Sequence, residues 1–499
     1  MQKAKTTAPA DPSSRYRFFC WAVAFLALAQ LAVGLDYITI WPGAEAEVIW
    51  RSASGSPGGS LAVGLLGTIP IDSEYWLLAY RAPGVLLYFL GLWLFFRWGA
   101  ALFGRDAVEL TLILTAASLL LPILAKTASL DTWRLGLELG FWVAFLRYAK
   151  GPSRQWLLAA AGLGSLAVLV GQFSTLALLL FWQVAYYRLL VPRNAALKVQ
   201  LAKPFVLIYL VFGVAFLVSY LRGNAPTDGQ FFYFNLLQWG QLRFFGYAFL
   251  GLAPFIGFAL AAVRDLFYKL RRGEEQAQLV AIGLVGGLVT QSLIFPFLLV
   301  FITAKQVQYY FQQPNYPWQD WVKGGQVLHL VLVFIGVVLA LLGGYLTFQA
   351  DGFRAVMGCG AAYWLFSFVG VIGLYGVRRD YVLGGMTLAG LLAVLFFWIQ
   401  VYPFLHLQRN WPERLTKMVQ KLVPPVTTIG LLADEPTTLP LAPYLLRVGL
   451  EPVVGDAAPA APPNDLYLRA LVPADSTADL RVRVQGWSGL GNRGEWGGD

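Results

Sequence analysis

From Tyr75 to Lys150 the chain is a succession of apolar stretches long enough to cross a lipid bilayer, broken only by short charged loops. A helix rises about 1.5 Å per residue, so about 20 consecutive apolar residues span the hydrocarbon core. Twelve such stretches lie near 18–35, 77–96, 107–125, 133–148, 155–170, 173–191, 204–221, 244–263, 277–303, 325–348, 354–376 and 382–403. Lipid offers the backbone no hydrogen bonds, which restricts these runs to helices that satisfy their own amides. With 58% hydrophobic and 13% charged residues in 499, the chain lacks the polar surface that a soluble protein of this length needs. The fold class expected is an all-α polytopic membrane protein with about 12–13 transmembrane helices.

The first apolar run, Phe18 to Leu35, follows Lys3, Lys5, Arg15 and Arg17 and ends without a small-residue cleavage pattern. It reads as a retained anchor behind a cytoplasmic tail at 1–17. The net charge of +10 resides mainly in short loops, as in Arg147/Lys150/Arg154, Arg188/Arg193/Lys198/Lys203 and Arg264/Lys269/Arg271/Arg272. Such a distribution marks loops held on the cytoplasmic side, not a nucleic-acid surface. The loops 36–76, 126–132, 222–243 and 304–324 then fall outside. Twelve spans would return the tail to the cytoplasm and put Arg378 and Arg379 outside, against the same rule; a further crossing around Lys305 to Trp321 would reverse that. Behind the membrane domain at 18–405, residues 406–499 turn Pro-rich and charged, with a β-like segment at Thr427–Ala433 and a Gly-rich end after Gly486. This reads as a small soluble α/β appendage with a disordered tail.

Cys20 and Cys359 lie in apolar runs, and His329 and His406 lack the paired spacing of a metal site. Gly283–Gly287 sits in an apolar span without the lysine of a phosphate loop. No metal and no cofactor is expected. Ionisable groups at a membrane face are the better guide, because charge near hydrocarbon is costly. The loop 36–76 holds Asp36, Glu45, Glu47, Arg51, Asp72 and Glu74 among Tyr37, Trp41 and Trp50. That mixture suits a helix lying in the interface, or a solvated acidic loop. The loop Lys126–Arg134 carries Asp131, placed to cap the helix that starts near Thr132. Glu138, two turns further on, belongs to the same end. Tyr309, Tyr310, Tyr316, Trp318 and Trp321 suit either a sugar-stacking surface or an interfacial belt.

Four short segments carry a resemblance. Tyr80-Arg81-Ala82-Pro83-Gly84 opens a helix, Leu102-Phe103-Gly104-Arg105 closes it, Leu121-Pro122 ends a third, and Ala128-Ser129-Leu130-Asp131 follows. In this order they resemble the polyprenyl-phosphate-dependent sugar transferases, the GT-C glycosyltransferases of the protein-mannosyltransferase and aminoarabinose-transferase branch. Gly162-Leu163-Gly164 with Val170-Gly171-Gln172, Lys305 with Tyr309, and Val401-Tyr402-Pro403 before Gln408 extend the likeness along the chain. The resemblance implies a GT-C-like fold with an acidic residue in the first outside loop and a second aspartate before the fourth helix. The second is matched by Asp131. The first, usually within Asp-Glu-Ala, reads Ala44-Glu45-Ala46 here, leaving Glu45, with Asp36 and Glu47 as further candidates. By the same resemblance Arg81 and Lys305 would hold the donor phosphate, and Tyr309 and Glu47 would line the substrate. Arginine and lysine at helix ends also snorkel to the interface without any such role.

Inverting transfer needs a base for the attacking hydroxyl or amine and cations for the departing lipid phosphate. The implied activity is a membrane glycosyltransferase moving a sugar from a polyprenyl-phosphate donor to a lipid, glycan or protein acceptor. It would work at the outer face of a bacterial-type inner membrane, among membrane lipids and without nucleic acid. The alternatives are a transporter, whose ionisable groups would collect at the bilayer midplane, and a GT-C-fold scaffold without catalysis.

Overall fold

A computed structural model of the chain describes residues 14–33, 35, 44–53, 61–70, 75–190, 195–221, 239–313, 316–402 and five strands beyond them. The helices are α1 (Ser14–Ala32), α2 (Ala44–Ala53), α3 (Leu61–Leu66), α4 (Trp76–Phe103), α5 (Arg105–Ala117), α6 (Leu120–Ala125), α7 (Leu130–Lys150) and α8 (Arg154–Ala185). They continue as α9 (Ala195–Leu221), α10 (Trp239–Leu250), α11 (Ile256–Arg271), α12 (Glu275–Val289), α13 (Ile294–Gln312), α14 (Gln319–Tyr375) and α15 (Arg379–Phe396). Seven helical stretches are long and apolar enough to cross a membrane, and an eighth counts if the pair Leu242–Leu250 and Ala253–Arg271, bent by 72°, is one span. The chain is a multi-pass membrane protein.

Three glutamines reverse the chain. In α8, Gln172 has φ 48° and ψ −130°. The Trp182 ring stacks on Phe141 with centroids 5.9 Å apart, and a Cβ on Gly164 would lie 2.9 Å from the same Phe141 ring. An unbroken helix would hold residues 164 and 182 about 27 Å apart, so the two limbs run back along each other. In α14, Gln349 (φ 55°, ψ −139°) does the same. A Cβ on Gly344 would lie 3.0 Å from the Gly352 carbonyl, and further along His329 Nε2 and Tyr363 Oη are 3.0 Å apart. Between α12 and α13, Gln291 has φ 51°. A Cβ on Gly287 would lie 2.9 Å from Phe295 N, one on Gly283 would lie 2.5 Å from Leu298 Cδ1, and Lys305 Nζ donates to Gln276 Oε1 at 3.3 Å.

The run 277–303, expected as one span, is therefore two antiparallel helices. The extra crossing lies at Gln291 and not around Lys305 to Trp321. The traverses from end to end are α1, α4, α5, α7, the two limbs of α8, α9, α11, α12, α13, the two limbs of α14, and α15, thirteen among the described residues. The segment 304–324, expected outside, stands instead at the end that carries the basic turns: Arg264 lies 4.7 Å from the Trp318 ring and 4.5 Å from the Trp321 ring. Arg378 and Arg379 share that end, in accord with the positive-inside rule, and α15 finishes at the other.

Close glycine packing fixes α4 against α7. A Cβ on Gly91 would lie 2.5 Å from Gly136 Cα, so the two backbones touch, the device by which membrane helices gain dispersion contact. This contact sets the first turn of α4 beside the start of α7. Deeper, Phe95, Phe103, Trp142, Phe297 and Phe301 interlock; Phe103 stacks on Trp142 at 5.4 Å and Phe95 meets Phe297 edge-on at 5.0 Å.

Beyond the bundle the strands are β1 (Thr428–Leu432), β2 (Glu451–Gly455), β3 (Leu466–Leu471), β4 (Arg481–Gly486) and β5 (Glu495–Trp496). They pair in the order β2-β1-β3-β4-β5. β1 runs parallel to both β2 and β3, whereas β4 is antiparallel to β3 and β5.

Candidate functional site

The second turn of α4 presents Arg81 to α2. Both Arg81 and Glu45 are buried, 2% exposed each. Arg81 Nε and Nη2 donate to the two carboxylate oxygens of Glu45 at 2.8 and 3.2 Å, and Nη1 donates to the Leu35 carbonyl at 3.0 Å. The Ala128 amide, from the turn before α7, donates to Glu45 Oε1 at 2.9 Å. A two-pronged guanidinium and an amide together saturate most of a carboxylate's lone pairs. Glu45 is thus the counter-ion of a buried arginine and the tie between α2, α4 and the α7 start.

Asp131 sits three residues from Ala128, a step of at most about 11 Å. The cap of α7 is Ser129 and not Asp131 as expected: Ser129 Oγ accepts from the Asp131 amide at 3.1 Å. Asp131 occupies the first turn, where its charge meets the positive end of the helix. Its side chain is 48% exposed, and its nearest cation is Arg134, with Nη1 3.4 Å from Oδ1.

Arg134 continues the network inward. Its Nε donates to Thr175 Oγ1 at 3.0 Å and Glu138 Oε1 at 3.3 Å. Thr175 donates to Glu138 at 2.8 Å, and Ser292, beside the Gln291 reversal, donates to the second Glu138 oxygen. Glu138 is fully buried. One arginine therefore links a half-exposed carboxylate to a buried one, as the spacing of positions 131, 134 and 138 on one helix face allows. Its Nη2 is buried and carries no hydrogen bond. A Cβ on Gly171 would lie 2.8 Å from Arg134 Cδ, so glycine there makes room for the guanidinium.

Lys126 completes the outer end. Its amine donates to the Val33 and Gln30 carbonyls, the latter at 2.9 Å, and lies 3.6 Å from the Trp398 ring centre. Burial, with the Arg81 guanidinium nearby, pushes its pKa down to about 6. Protonated or neutral, the amine has an N–H bond for each of the two carbonyls.

The remaining expected residues do not join this cluster. Lys305 lies over the rings of Phe301 and Phe103, 4.9 and 5.8 Å from their centres. Phe103 and Arg81 stand at opposite ends of α4, about 33 Å apart, so Lys305 cannot share a phosphate with Arg81. Tyr309 is beside it, under the Lys269 amine at 4.5 Å. Glu47 is in α2 with its side chain outside the described residues, and Asp36 lies outside them altogether. Neither Arg134 nor Lys126 was among the expected site residues. The 131/134/138 spacing offered a signal for the first, but nothing near Lys126 in sequence offered one for the second.

No family model matches the sequence, and no curated protein matches it. Among solved structures, ArnT from Cupriavidus metallidurans bound to undecaprenyl phosphate superposes with a TM-score of 0.64 at 17% identity, covering 88% of this chain and 86% of that one. The apo structure of the same protein gives a TM-score of 0.61 at the same identity and coverage. The chain has the GT-C fold.

Proposed function

We propose that the protein is a membrane glycosyltransferase that takes its sugar from a polyprenyl-phosphate carrier and transfers it at the face opposite the basic loops. The observation that carries this reading is Asp131, a half-exposed carboxylate held by Arg134, beside the buried Arg81–Glu45 pair. A likeness in fold to ArnT, whose structure holds undecaprenyl phosphate, supports the class of donor. Bacterial-type inner membrane is the setting this donor implies. A lipid, a glycan and a protein all remain open as acceptors.

Geometry favours a division of labour among the carboxylates. Asp131 has an open lone pair and serves as the base that takes the acceptor's proton. Glu45 is occupied, and acts by fixing Arg81, whose guanidinium is the cation nearest the departing lipid phosphate. Asp36 and Glu47 remain candidates in the same loop region.

Transfer from polyprenyl-phosphate-linked donors by the purified protein in lipid tests this. Asp131→Asn should lower turnover by about 10²- to 10⁴-fold, the usual worth of a general base, with unchanged melting temperature. Glu45→Gln should lower both, because removing one partner of a buried pair costs about 3–5 kcal/mol. Wild-type turnover by Asp131→Asn would overturn the assignment.

A further inference from the structure

At the basic end, α11, α12 and α13 enclose a small cleft of about 60 Å³ whose lining includes Lys305, Lys269, Asp265, Glu274, Gln276 and Tyr309. The cleft stands a full helix length from the Arg81–Glu45 pair, so the glycosyltransferase reading makes no use of it. Two lysines and two carboxylates line it, and among them only one ion pair forms. Lys269 is paired with Asp265 at 2.7 Å. Lys305 faces a neutral amide, Gln276 Oε1 at 3.3 Å, and aromatic rings, with no carboxylate at ion-pair distance among the described residues. Glu274 is exposed and forms no ion pair with it. A partly buried ammonium without a counter-charge is unfavourable unless something anionic approaches it. Trp318 and Trp321, stacked around Arg264 at this end, are the aromatic residues that favour headgroup level.

We infer that this cleft binds an anionic phosphate group, with Lys305 as its principal cation and Lys269 as the second. The shared chemistry is the anionic phosphate group. A phospholipid headgroup of the leaflet on the basic side is the source that the setting favours, because basic pockets between helices on that side attract anionic headgroups. This inference does not rest on the proposed transferase activity.

Melting of the full-length protein in nanodiscs of three kinds tests it: phosphatidylcholine alone, phosphatidylcholine with phosphatidylglycerol, and phosphatidylcholine with added inorganic phosphate. Ligand binding raises the melting temperature by mass action. Wild type should melt several degrees higher with phosphatidylglycerol. Lys305→Met should lose most of that rise while melting in phosphatidylcholine at least as high as wild type, since it removes an uncompensated charge. Arg105→Ala, which deletes an exposed charge at the same end, should keep the rise. A wild-type rise with inorganic phosphate alone, lost in Lys305→Met, supports the site with a soluble phosphate as its occupant. No rise under any condition, or an equal rise in Lys305→Met, overturns the inference.

Discussion

Two buried bases set the character of the outer end, and they differ in kind. Arg81 keeps its charge and is given a carboxylate; Lys126 is given two carbonyls and an aromatic face. For Lys126 the folded pKa of about 6 lies below the ordinary lysine value of 10.5. Between those values the unfolded chain holds a proton that the folded chain lacks, so stability rises with pH across that window, by up to about 1.4 kcal/mol per pH unit. Lys126→Met should therefore flatten the climb of melting temperature between about pH 6.5 and 9.5 in detergent. Parallel curves for the two proteins would show that Lys126 is charged in the fold. Residues at this scale were unequally legible. Asp131, Arg134 and Glu138 share one helix face and announce themselves by spacing. The partners of Lys126 are more than ninety positions away, beyond anything that local pattern reveals. Lys305 misled for the same reason: its place depends on whether one preceding apolar run is one helix or two.

That run exposes how elements are read. A stretch of 27 positions at 277–303 exceeds what one span requires, and Thr290-Gln291-Ser292 interrupts it with three polar side chains. Excess length was the available signal. At the other reversals, the break between 170 and 173 coincided with Gln172. All three glutamines sit at positive φ, where an L side chain is strained by about 1–3 kcal/mol. Gln172 and Gln349 have the angles of the first central residue of a type II′ turn, a glycine position. Gln349→Gly should accordingly raise stability by about 1 kcal/mol, read as a higher melting temperature with unchanged transfer. A lower melting temperature would mean that the Gln349 side chain contributes more than its backbone costs.

At the scale of the molecule, composition and apolar runs carried the fold class and nearly the number of crossings, because lipid leaves so few options to the backbone. Sidedness in the last third was less accessible, since a single missed reversal inverts every loop behind it. Cysteine labelling from one side resolves the difference. In a background with Cys20 and Cys359 replaced by serine, Gln313→Cys should react with a membrane-impermeant thiol reagent together with Gly151→Cys, and opposite to Thr68→Cys. Reaction of Gln313→Cys together with Thr68→Cys would restore twelve crossings. The odd number of traverses has a consequence for biogenesis. The start of α1 and Tyr402 lie at opposite ends of the bundle, so, if the basic end faces the cytoplasm as the positive-inside rule has it, the segments that pair as β1 to β5 would have to be translocated across the membrane. Their sheet would then form only after that passage, on the side where the proposed transfer takes place.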